Sequence, residues 1–402
     1  MAGARRLETR CCVAGGGPAG LMLGLLLARA GVPVVVLEKH ADFLRDFRGD
    51  TIHPSTLEVV NELGLLDEFL KLPHEKVADL AVQFVDGQFL VADFRHLPVR
   101  CGFVAMMPQW DFLDFLAGHG RRESGYTLLM RTEATGLIEE NGHVVGVRAR
   151  DDESDLEVRA DLTVACDGRH STLRAAAGFT PTTLGAPIDV LWFRITRRPD
   201  DIAVTGGRFG AGTILVMINR GDYWQCAYVI PKGSVESVRA RGLPLFRDGL
   251  AAFAPMLADR VGELRSWDDL KLLTVSVDRL PRWWRPGLLC IGDAAHAMSP
   301  VGGVGINLAI QDAVATANRL AAPLRERRIA DSDLAAVQAR RQWPTKATQA
   351  VQLFMQNIVI APALGRSGPP RAPLMVRLMA RWPWLRRLPA RLIGMGFRPE
   401  HW

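Results

Sequence analysis

Two short apolar runs flank an apolar, helix-forming segment at the start of the chain. The runs cover residues 11–14 and 34–37, and the segment between them covers residues 18–30. A strand, a helix and a second strand in this order form the βαβ unit of a parallel sheet. The start of the chain therefore predicts an α/β domain.

The hydrophobic period then changes from helical to alternating. Asp86-Gly87 and Asn141-Gly142 each lie between two alternating segments, and a third β-rich block covers residues 188–230. Such dipeptides between alternating segments predict β-hairpins. Strand character returns at residues 288–291, and a long helix is predicted from Gly305 to about Leu320. We therefore expect an α/β domain that is interrupted by an antiparallel sheet.

The first chemical motif lies in the turn of the βαβ unit. Gly15, Gly17 and Gly20 form a G-x-G-x-x-G sequence between the first strand and the helix. Glycines at these positions permit the tight turn, the approach of a pyrophosphate and close helix–strand packing. Glu38 ends the second strand, where a carboxylate accepts the hydroxyls of an adenosine ribose. The motif predicts a dinucleotide site but does not separate FAD from NAD.

Charge is concentrated at the end of the chain. The net charge is +6, and residues 366–402 carry eight Arg and one acid, so the remainder is nearly neutral. This distribution argues against nucleic-acid binding by the whole surface. Arg and Trp residues interleave with Pro383 and Pro389 in this tail. We expect the tail to pack against the dinucleotide domain, with peripheral contact to an anionic membrane as the alternative hypothesis.

The six cysteines form no C-x-x-C pair, and the first ten residues contain no apolar signal segment. Reduced thiols and a cytosolic location are therefore expected. No His, Cys, Asp and Glu set has the spacing of metal ligands, so no metal site is predicted.

Two further motifs make the prediction specific. Asp167-Gly168 follows an apolar run, and Gly292-Asp293 is followed by the Gly-rich segment 300–307. Three motifs in this order resemble the FAD-dependent aromatic hydroxylases, the class A flavoprotein monooxygenases related to p-hydroxybenzoate hydroxylase. The resemblance spans roughly residues 8–320.

The resemblance implies a site for non-covalent FAD. In it, Gly15, Gly17 and Gly20 bind the pyrophosphate, Glu38 the adenosine ribose, Arg48 the phosphate or ribityl region, Gln109 the ribityl chain and Asp293 the ribityl hydroxyls. Asp167 and Gly168 are implicated in both FAD and NAD(P)H binding, Pro300 and Gly303 lie beside the isoalloxazine, and Gly305, Ile306 and Asn307 offer backbone amides to its O2 and N1 edge. The unpaired N–H groups at the start of the long helix independently favour negative charge there.

With these assignments, the predicted fold is α/β, with a Rossmann-like FAD-binding domain that is interrupted by an antiparallel β-sheet substrate domain and followed by a C-terminal helical segment. The FAD-binding domain is expected in residues 1–75, 98–182 and 276–345, the substrate domain in residues 76–97 and 183–275, and the helical segment in residues 346–402.

The implied reaction uses NAD(P)H and O2 to hydroxylate an aromatic or polycyclic small molecule through a C4a-hydroperoxyflavin. A flavin-dependent reductase of the geranylgeranyl-reductase type is one alternative, because that type shares the motifs around Asp293 and Gly305. A flavin-bound dehydratase or binding protein that never activates O2 is another. The substrate, the choice between NADH and NADPH and the oligomeric state stay open.

Candidate substrate residues lie in the β-rich block. They are Trp192, Gln225 and Tyr228, and strand alternation places Gln225 and Tyr228 on opposite faces of one strand without indicating which face lines the cavity. Gln225 lies roughly where the related hydroxybenzoate enzyme has a carboxylate-binding Arg, which favours a neutral ring system. His53 is a candidate catalytic residue, although a packing role is preferred, and His296 is expected to be structural.

Overall fold

The protein is described by a computed structural model that covers residues 5–44, 51–201 and 206–402. Its strands in chain order are β1 Arg5–Ala14, β2 Val34–Leu37, β3 Thr51–Ile52, β4 Glu75–Val77, β5 Asp79–Phe84, β6 Gly87–Asp93, β7 Val104–Met106, β8 Tyr126–Leu129, β9 Glu133–Glu140, β10 His143–Arg150, β11 Asp155–Ala165, β12 Thr182–Thr183, β13 Ile188–Thr196, β14 Gly206–Phe209, β15 Ile214–Asn219, β16 Tyr223–Pro231, β17 Lys271–Leu273, β18 Asp278–Arg279, β19 Trp284–Arg285, β20 Leu288–Cys290 and β21 His296–Ala297.

The α-helices surround these strands. They are α1 Pro18–Arg29, α2 Pro54–Glu62, α3 Leu66–Phe69, α4 Gln109–Gly120, α5 Thr172–Ala176, α6 Val235–Ala240, α7 Leu243–Phe253, α8 Gly305–Arg325, α9 Asp331–Met355, α10 Ala361–Leu364, α11 Leu374–Arg381 and α12 Arg387–Gly394. Within the described ranges, no helix is long and apolar enough to cross a membrane.

The first sheet is parallel at its centre. Among the described residues it has eight strands, in the order β19-β20-β11-β1-β2-β8, with β10 and β9 branching from β11. The pairs β1–β2, β1–β11, β2–β8 and β11–β20 are parallel. α1 packs on this sheet, and nearly every one of its side chains is buried. This is the predicted α/β unit, and its core contains the apolar runs that open the chain.

The second sheet interrupts the first along the chain. In the described part of the protein it has seven strands, in the order β17-β13-β16-β15-β14-β5-β6. All neighbouring pairs are antiparallel except β5 and β14, which pair in parallel. No hairpin joins β5 to β14, so the chain connection does not force them to run in opposite directions. Together with the C-terminal helices, this sheet confirms the predicted fold class, whereas the domain limits stay predictions.

The last segment of the chain runs from the seven-stranded sheet to helices α2 and α9. We call residues 366–402 the C-terminal strap. Near its start, Arg377 forms an ion pair of 2.6 Å with Asp86 in the β5–β6 turn, and the Ala372 N–H donates to the same carboxylate at 2.9 Å. At its end, the N–H of Trp402 donates to Glu62 of α2 at 2.7 Å. The strap therefore contacts the seven-stranded sheet first and α2 last.

A buried ionic cluster holds the end of the strap. Asp312 of α8 and Arg341 of α9 are both fully buried, and the Asp312 Oδ1 to Arg341 Nε distance is 3.0 Å. Arg341 also reaches Glu400 at 3.1 Å. Burial alone raises the pKa of Asp312, but the charge and hydrogen bond of His296, followed by those of Arg341, outweigh it and lower the pKa below its usual range.

Removal of the Arg341 guanidinium should destabilise the fold strongly. Arg341→Met leaves Asp312 with one cationic neighbour fewer in a dry interior, and the expected loss in the free energy of unfolding is about 3–5 kcal/mol. Urea denaturation followed by tryptophan fluorescence measures it.

Arg340→Met is the matched control. Arg340 binds the same Glu400 at 2.7 Å, but its side chain is 38% exposed, so the expected loss is below about 1 kcal/mol. Equal losses for the two variants would show that the buried pair has no special role.

Candidate functional site

The Gly-rich turn has the geometry that the motif predicts. Gly15 has a φ of 108°, and a Cβ there would lie 2.3 Å from the carbonyl oxygen of Cys166 at the end of β11. At Gly20, a Cβ would lie 1.9 Å from the Gly15 carbonyl oxygen. At Gly17, by contrast, a Cβ would meet nothing within 4 Å. Gly15 and Gly20 are thus required by packing, whereas Gly17 borders open space at the start of α1.

Glu38 lies directly beside this turn. Its carboxylate accepts hydrogen bonds from the N–H groups of Gly16, at 3.0 Å, and His40, at 2.9 Å. The side chain is mostly buried. These two N–H groups orient the carboxylate next to the glycines, where the sequence predicts an adenosine ribose.

Asp167 faces inward rather than toward solvent. Its carboxylate accepts hydrogen bonds from the Ser171 hydroxyl and from the Leu173 N–H, the latter at 3.1 Å, and so caps α5. Burial raises the pKa of Asp167, although both hydrogen bonds act in the opposite direction. Gly168 has a φ of 85° and makes the turn that brings Ser171 back to the carboxylate.

Arginines connect the Asp167 loop to the Asp293 loop. The buried Arg174 donates to the carbonyl oxygens of Arg169, at 2.5 Å, and Ala294, at 3.2 Å. Arg169 lies 3.7 Å from the carboxylate of Asp293. Asp293 remains about one third exposed. Arg174 thus braces the two loops, and Asp293 keeps an accessible carboxylate.

The segment 300–307 leads into α8. Pro300 precedes a turn in which Gly302 and Gly303 have φ values of 80° and 64°. The Thr51 hydroxyl donates to the Gly303 carbonyl oxygen at 2.7 Å. The N–H groups of Gly305, Ile306 and Asn307 lie in the first turn of α8, where an α-helix offers no intrahelical acceptor.

The side chain of Asn307 is clamped by α2. Ser55 and Thr56 both donate their hydroxyls to Asn307 Oδ1, at 2.9 and 2.5 Å. Both hydroxyls and the amide are buried. Two donors on one oxygen orient the amide and hold the first turn of α8 against α2. Sequence reasoning missed this clamp, because residues 55 and 307 carry no shared local signal.

His53 is buried between the strap and the turn at Gly302 and Gly303, which we call the glycine turn. Its Nδ1 lies 2.7 Å from the carbonyl oxygen of Ile393, so Nδ1 carries the proton that is donated. Burial lowers the pKa of His53 to about 4, although the backbone carbonyls of Ile393 and Gly303 act in the opposite direction. The imidazole is therefore neutral at pH 7 and connects the strap to the site.

His296 has the structural role that the sequence suggested. It is buried, and its Nε2 lies 2.6 Å from Asp312 Oδ2, which also accepts the N–H of Gly292 at 3.1 Å.

The seven-stranded sheet has an outer and an inner face. On the outer face, Tyr228 packs its ring 5.1 Å from that of Phe246 in α7. On the inner face, Trp192 and Val216 pack in the same cluster as Val301, which follows Pro300. Tyr228 is therefore removed from the substrate candidates, because α6 and α7 cover the face to which it points.

Gln225 lies on the inner face. It pairs across the sheet with Arg194 and with Ile218. Arg220 donates from Nε to Gln225 Oε1 at 3.0 Å. Trp192 and Gln225 remain substrate candidates, and Arg220 is an addition that the sequence did not suggest.

Of the two remaining predicted cofactor residues, the structure describes one. Gln109 is the first residue of α4 and is half-buried. Arg48 lies outside the described residues.

Comparison with known proteins agrees with this geometry. Residues 8–351 match the family model described as FAD binding domain. The chain is 34% identical over 387 residues to the 6-methylpretetramide 4-monooxygenase of Streptomyces rimosus, a match that covers 96% of this chain and 92% of that protein.

Solved structures share the fold. The p-nitrophenol 4-monooxygenase PnpA from Pseudomonas putida superposes with a TM-score of 0.78 at 20% identity, covering 98% of this chain and all of that one. The OxyS anhydrotetracycline hydroxylase from Streptomyces rimosus superposes with a TM-score of 0.76 at 24% identity, covering 96% and 76% of the two chains.

Substitution of Gly17 should separate FAD binding from folding. Gly17 has an extended backbone, with φ of −80° and ψ of −174°, that any residue adopts. Gly17→Val should therefore leave the apoprotein folded but place its side chain where the pyrophosphate approaches. The dissociation constant for FAD, measured by titration of the apoprotein, should rise at least about tenfold, which corresponds to about 1.4 kcal/mol.

Gly20→Val is the comparison variant, since its Cβ collides with the Gly15 carbonyl and should lower the unfolding temperature of the apoprotein itself. Full FAD occupancy in Gly17→Val would contradict the assigned phosphate position.

Proposed function

The chain belongs to the family of FAD-dependent aromatic hydroxylases, and from that premise we propose that this monooxygenase hydroxylates a neutral, polycyclic aromatic compound with electrons from NAD(P)H. Bound FAD supplies the redox chemistry and the activation of O2. The proposal rests most directly on the inner face of the seven-stranded sheet, where the partly exposed Trp192 and Val216 share a cluster with Val301 beside the glycine turn.

The first contribution of the protein is a fixed positive end of a helix. The first-turn N–H groups of α8 and the helix dipole stabilise negative charge in front of Gly305–Asn307. If a flavin were bound with its O2 and N1 edge toward Gly305–Asn307, these groups would hold that edge and would favour the negatively charged, reduced form of the cofactor. The Ser55 and Thr56 clamp on Asn307 keeps the helix end in place without a titratable group.

The second contribution is the exclusion of water. Val190, Trp192, Val216 and Val229 present apolar side chains on the inner face. An apolar wall orients a flat ring by contact and slows the loss of oxygen as peroxide. The relative named 6-methylpretetramide 4-monooxygenase is consistent with a fused-ring substrate.

The third contribution is polar. Gln225 is buried on this face, and its Oε1 accepts a hydrogen bond from Arg220 Nε. An amide donates to and accepts from hydroxyl and carbonyl groups, as found on phenols and quinones.

The nicotinamide has a proposed docking region near Gly168. A single G-x-G-x-x-G is present in the sequence, so NAD(P)H requires another surface. Arg169 lies beside Asp293 and is partly exposed, which offers a cation for a phosphate of NAD(P)H. We therefore propose that the reductant docks near the Asp167–Gly168 loop.

Turnover should depend on both O2 and an aromatic substrate. We expect slow oxidation of NAD(P)H by the enzyme alone, and oxidation at least about tenfold faster with a hydroxylatable fused-ring phenol, because substrate binding gates reduction. Phenols, quinolones and polycyclic hydroxyquinones form the test panel, and mass spectrometry follows the product. With ¹⁸O2, the product should gain 18O from the gas and not from water.

Product formation that continues unchanged without O2 would overturn the monooxygenase assignment for this substrate and favour the reductase alternative.

We also propose that the protein is cytosolic. A separate proposal is that the strap makes peripheral contact with a membrane. Leu374, Met375, Trp382 and Trp384 are all exposed, and Trp384 is 64% exposed. Arg381 and Arg387 lie in the same stretch without an acidic neighbour in sequence. Exposed Trp beside Arg suits the interface of an anionic bilayer.

Trp382→Ser combined with Trp384→Ser should weaken binding to vesicles of phosphatidylglycerol and phosphatidylcholine by about tenfold or more in co-sedimentation, because both side chains lose apolar contact. Pure phosphatidylcholine vesicles are the control for the charge contribution. Equal sedimentation of the wild-type protein and the variant would exclude these tryptophans as the contact. Point variants are required because a truncated strap would leave Arg341 without Glu400.

A further inference from the structure

The strap contributes apolar side chains to the inner side of the seven-stranded sheet. Ile393 and Met395 are half-buried and pack against the cluster that contains Ile218 of β15. Trp192 and Val216 pack against the same cluster from neighbouring positions of the sheet. One apolar surface is therefore built from residues 192–218 and residues 393–395, which are far apart in sequence.

This surface extends to the glycine turn. Trp192 and Val216 pack against two clusters of buried apolar residues. Ile393 packs against the first cluster and Val301 against the second. Val301 immediately follows Pro300, which the family resemblance places beside the isoalloxazine. Trp192 and Val216 thus lie between the strap on one side and the proposed flavin position on the other.

The position of α12 is closely defined. A Cβ at Gly394 would lie 2.8 Å from Leu97 and 3.2 Å from both Phe94 and Pro54, so the helix packs directly on the segment after β6 and the start of α2. The neighbouring carbonyl of Ile393 accepts the hydrogen bond of His53 at 2.7 Å. His53 is therefore a positioning residue for this part of the strap.

Ion pairs attach the strap to the fold on both sides of α12. Arg377 pairs with Asp86 before α12, and Glu400 pairs with Arg340 and Arg341 after it. The segment with Ile393 and Met395 is held between these two attachments.

We propose that the strap forms one wall of the aromatic-substrate cavity and that Ile393 and Met395 set the size of the ring system that enters. The inference rests on the proposed function, since it assigns a wall to the same cavity. A rigid apolar wall selects by size, because each added methylene or ring either fits against it or collides with it.

Ring-size selectivity tests the wall directly. Dissociation constants for 1-naphthol and 1-hydroxyanthraquinone are measured by isothermal titration calorimetry with the FAD-loaded protein and without NAD(P)H. Ile393→Trp narrows the cavity and should weaken binding of the tricyclic compound at least about tenfold more than that of naphthol. Ile393→Ala should shift the ratio of the two constants in the opposite direction.

Leu388→Trp is the matched control. Leu388 lies on the same helix but is 64% exposed, so the ratio should stay within about twofold of the wild-type value. Unfolding temperature and FAD content identify any variant that is misfolded, and Ile393→Ala then decides alone.

The outcomes separate the two proposals. If the wild-type protein binds neither aromatic probe and hydroxylates no member of the panel, the proposed function fails. If the wild-type protein binds the aromatic compounds but folded Ile393 variants keep the wild-type ratio, the strap is not a cavity wall.

Discussion

The buried carboxylate of Asp312 is the constraint on which the candidate site depends. A charge that is buried between helices is stable only when charged or hydrogen-bonding groups replace the water that it has lost. Asp312 collects three of them, the N–H of Gly292, the ring of His296 and the guanidinium of Arg341. The first two belong to the loop that carries Asp293. The contacts of the Asp312 carboxylate with Gly292 and His296 therefore determine the position of that loop relative to α8.

Helix α8 connects Asp312 to two other parts of the site. Asn307 lies five residues before Asp312 in α8, so the loop at Asp293 and the helix end at Gly305 are registered on one rigid element. Arg341 extends the cluster to Glu400 and thereby attaches the strap. Ser55 and Thr56 attach α2 to Asn307, and His53, two residues earlier than Ser55, attaches to Ile393. The cofactor side and the strap side of the site are thus joined by short polar contacts.

Local chemistry explains what the sequence could predict. Gly15 and the Asn141-Gly142 turn need positive φ values, and this requirement is visible from the residues alone. Alternation correctly separated Gln225 from Tyr228, but the choice of the inner face depended on α7, which packs against Tyr228 through Phe246. Arg341 offered no signal beside Arg340, since both arginines pair with Glu400 and only the distant Asp312 distinguishes the buried one from the exposed one. Contacts that depend on pairs far apart in sequence were the ones that could not be predicted.

The net charge of the strap does not indicate which groups its arginines contact. Its surplus of arginine left contact with an anionic membrane as an alternative to the expected packing. Arg377 pairs with Asp86 across 291 positions of sequence, and Arg386 donates to the carbonyl oxygen of Met379. Its one acid, Glu400, lies in the buried cluster and is shared by two arginines of α9. These contacts use the charge of the strap for attachment to the fold itself. Because these attachments lie on both sides of α12, they support the position of the apolar residues between them, as the proposed wall requires.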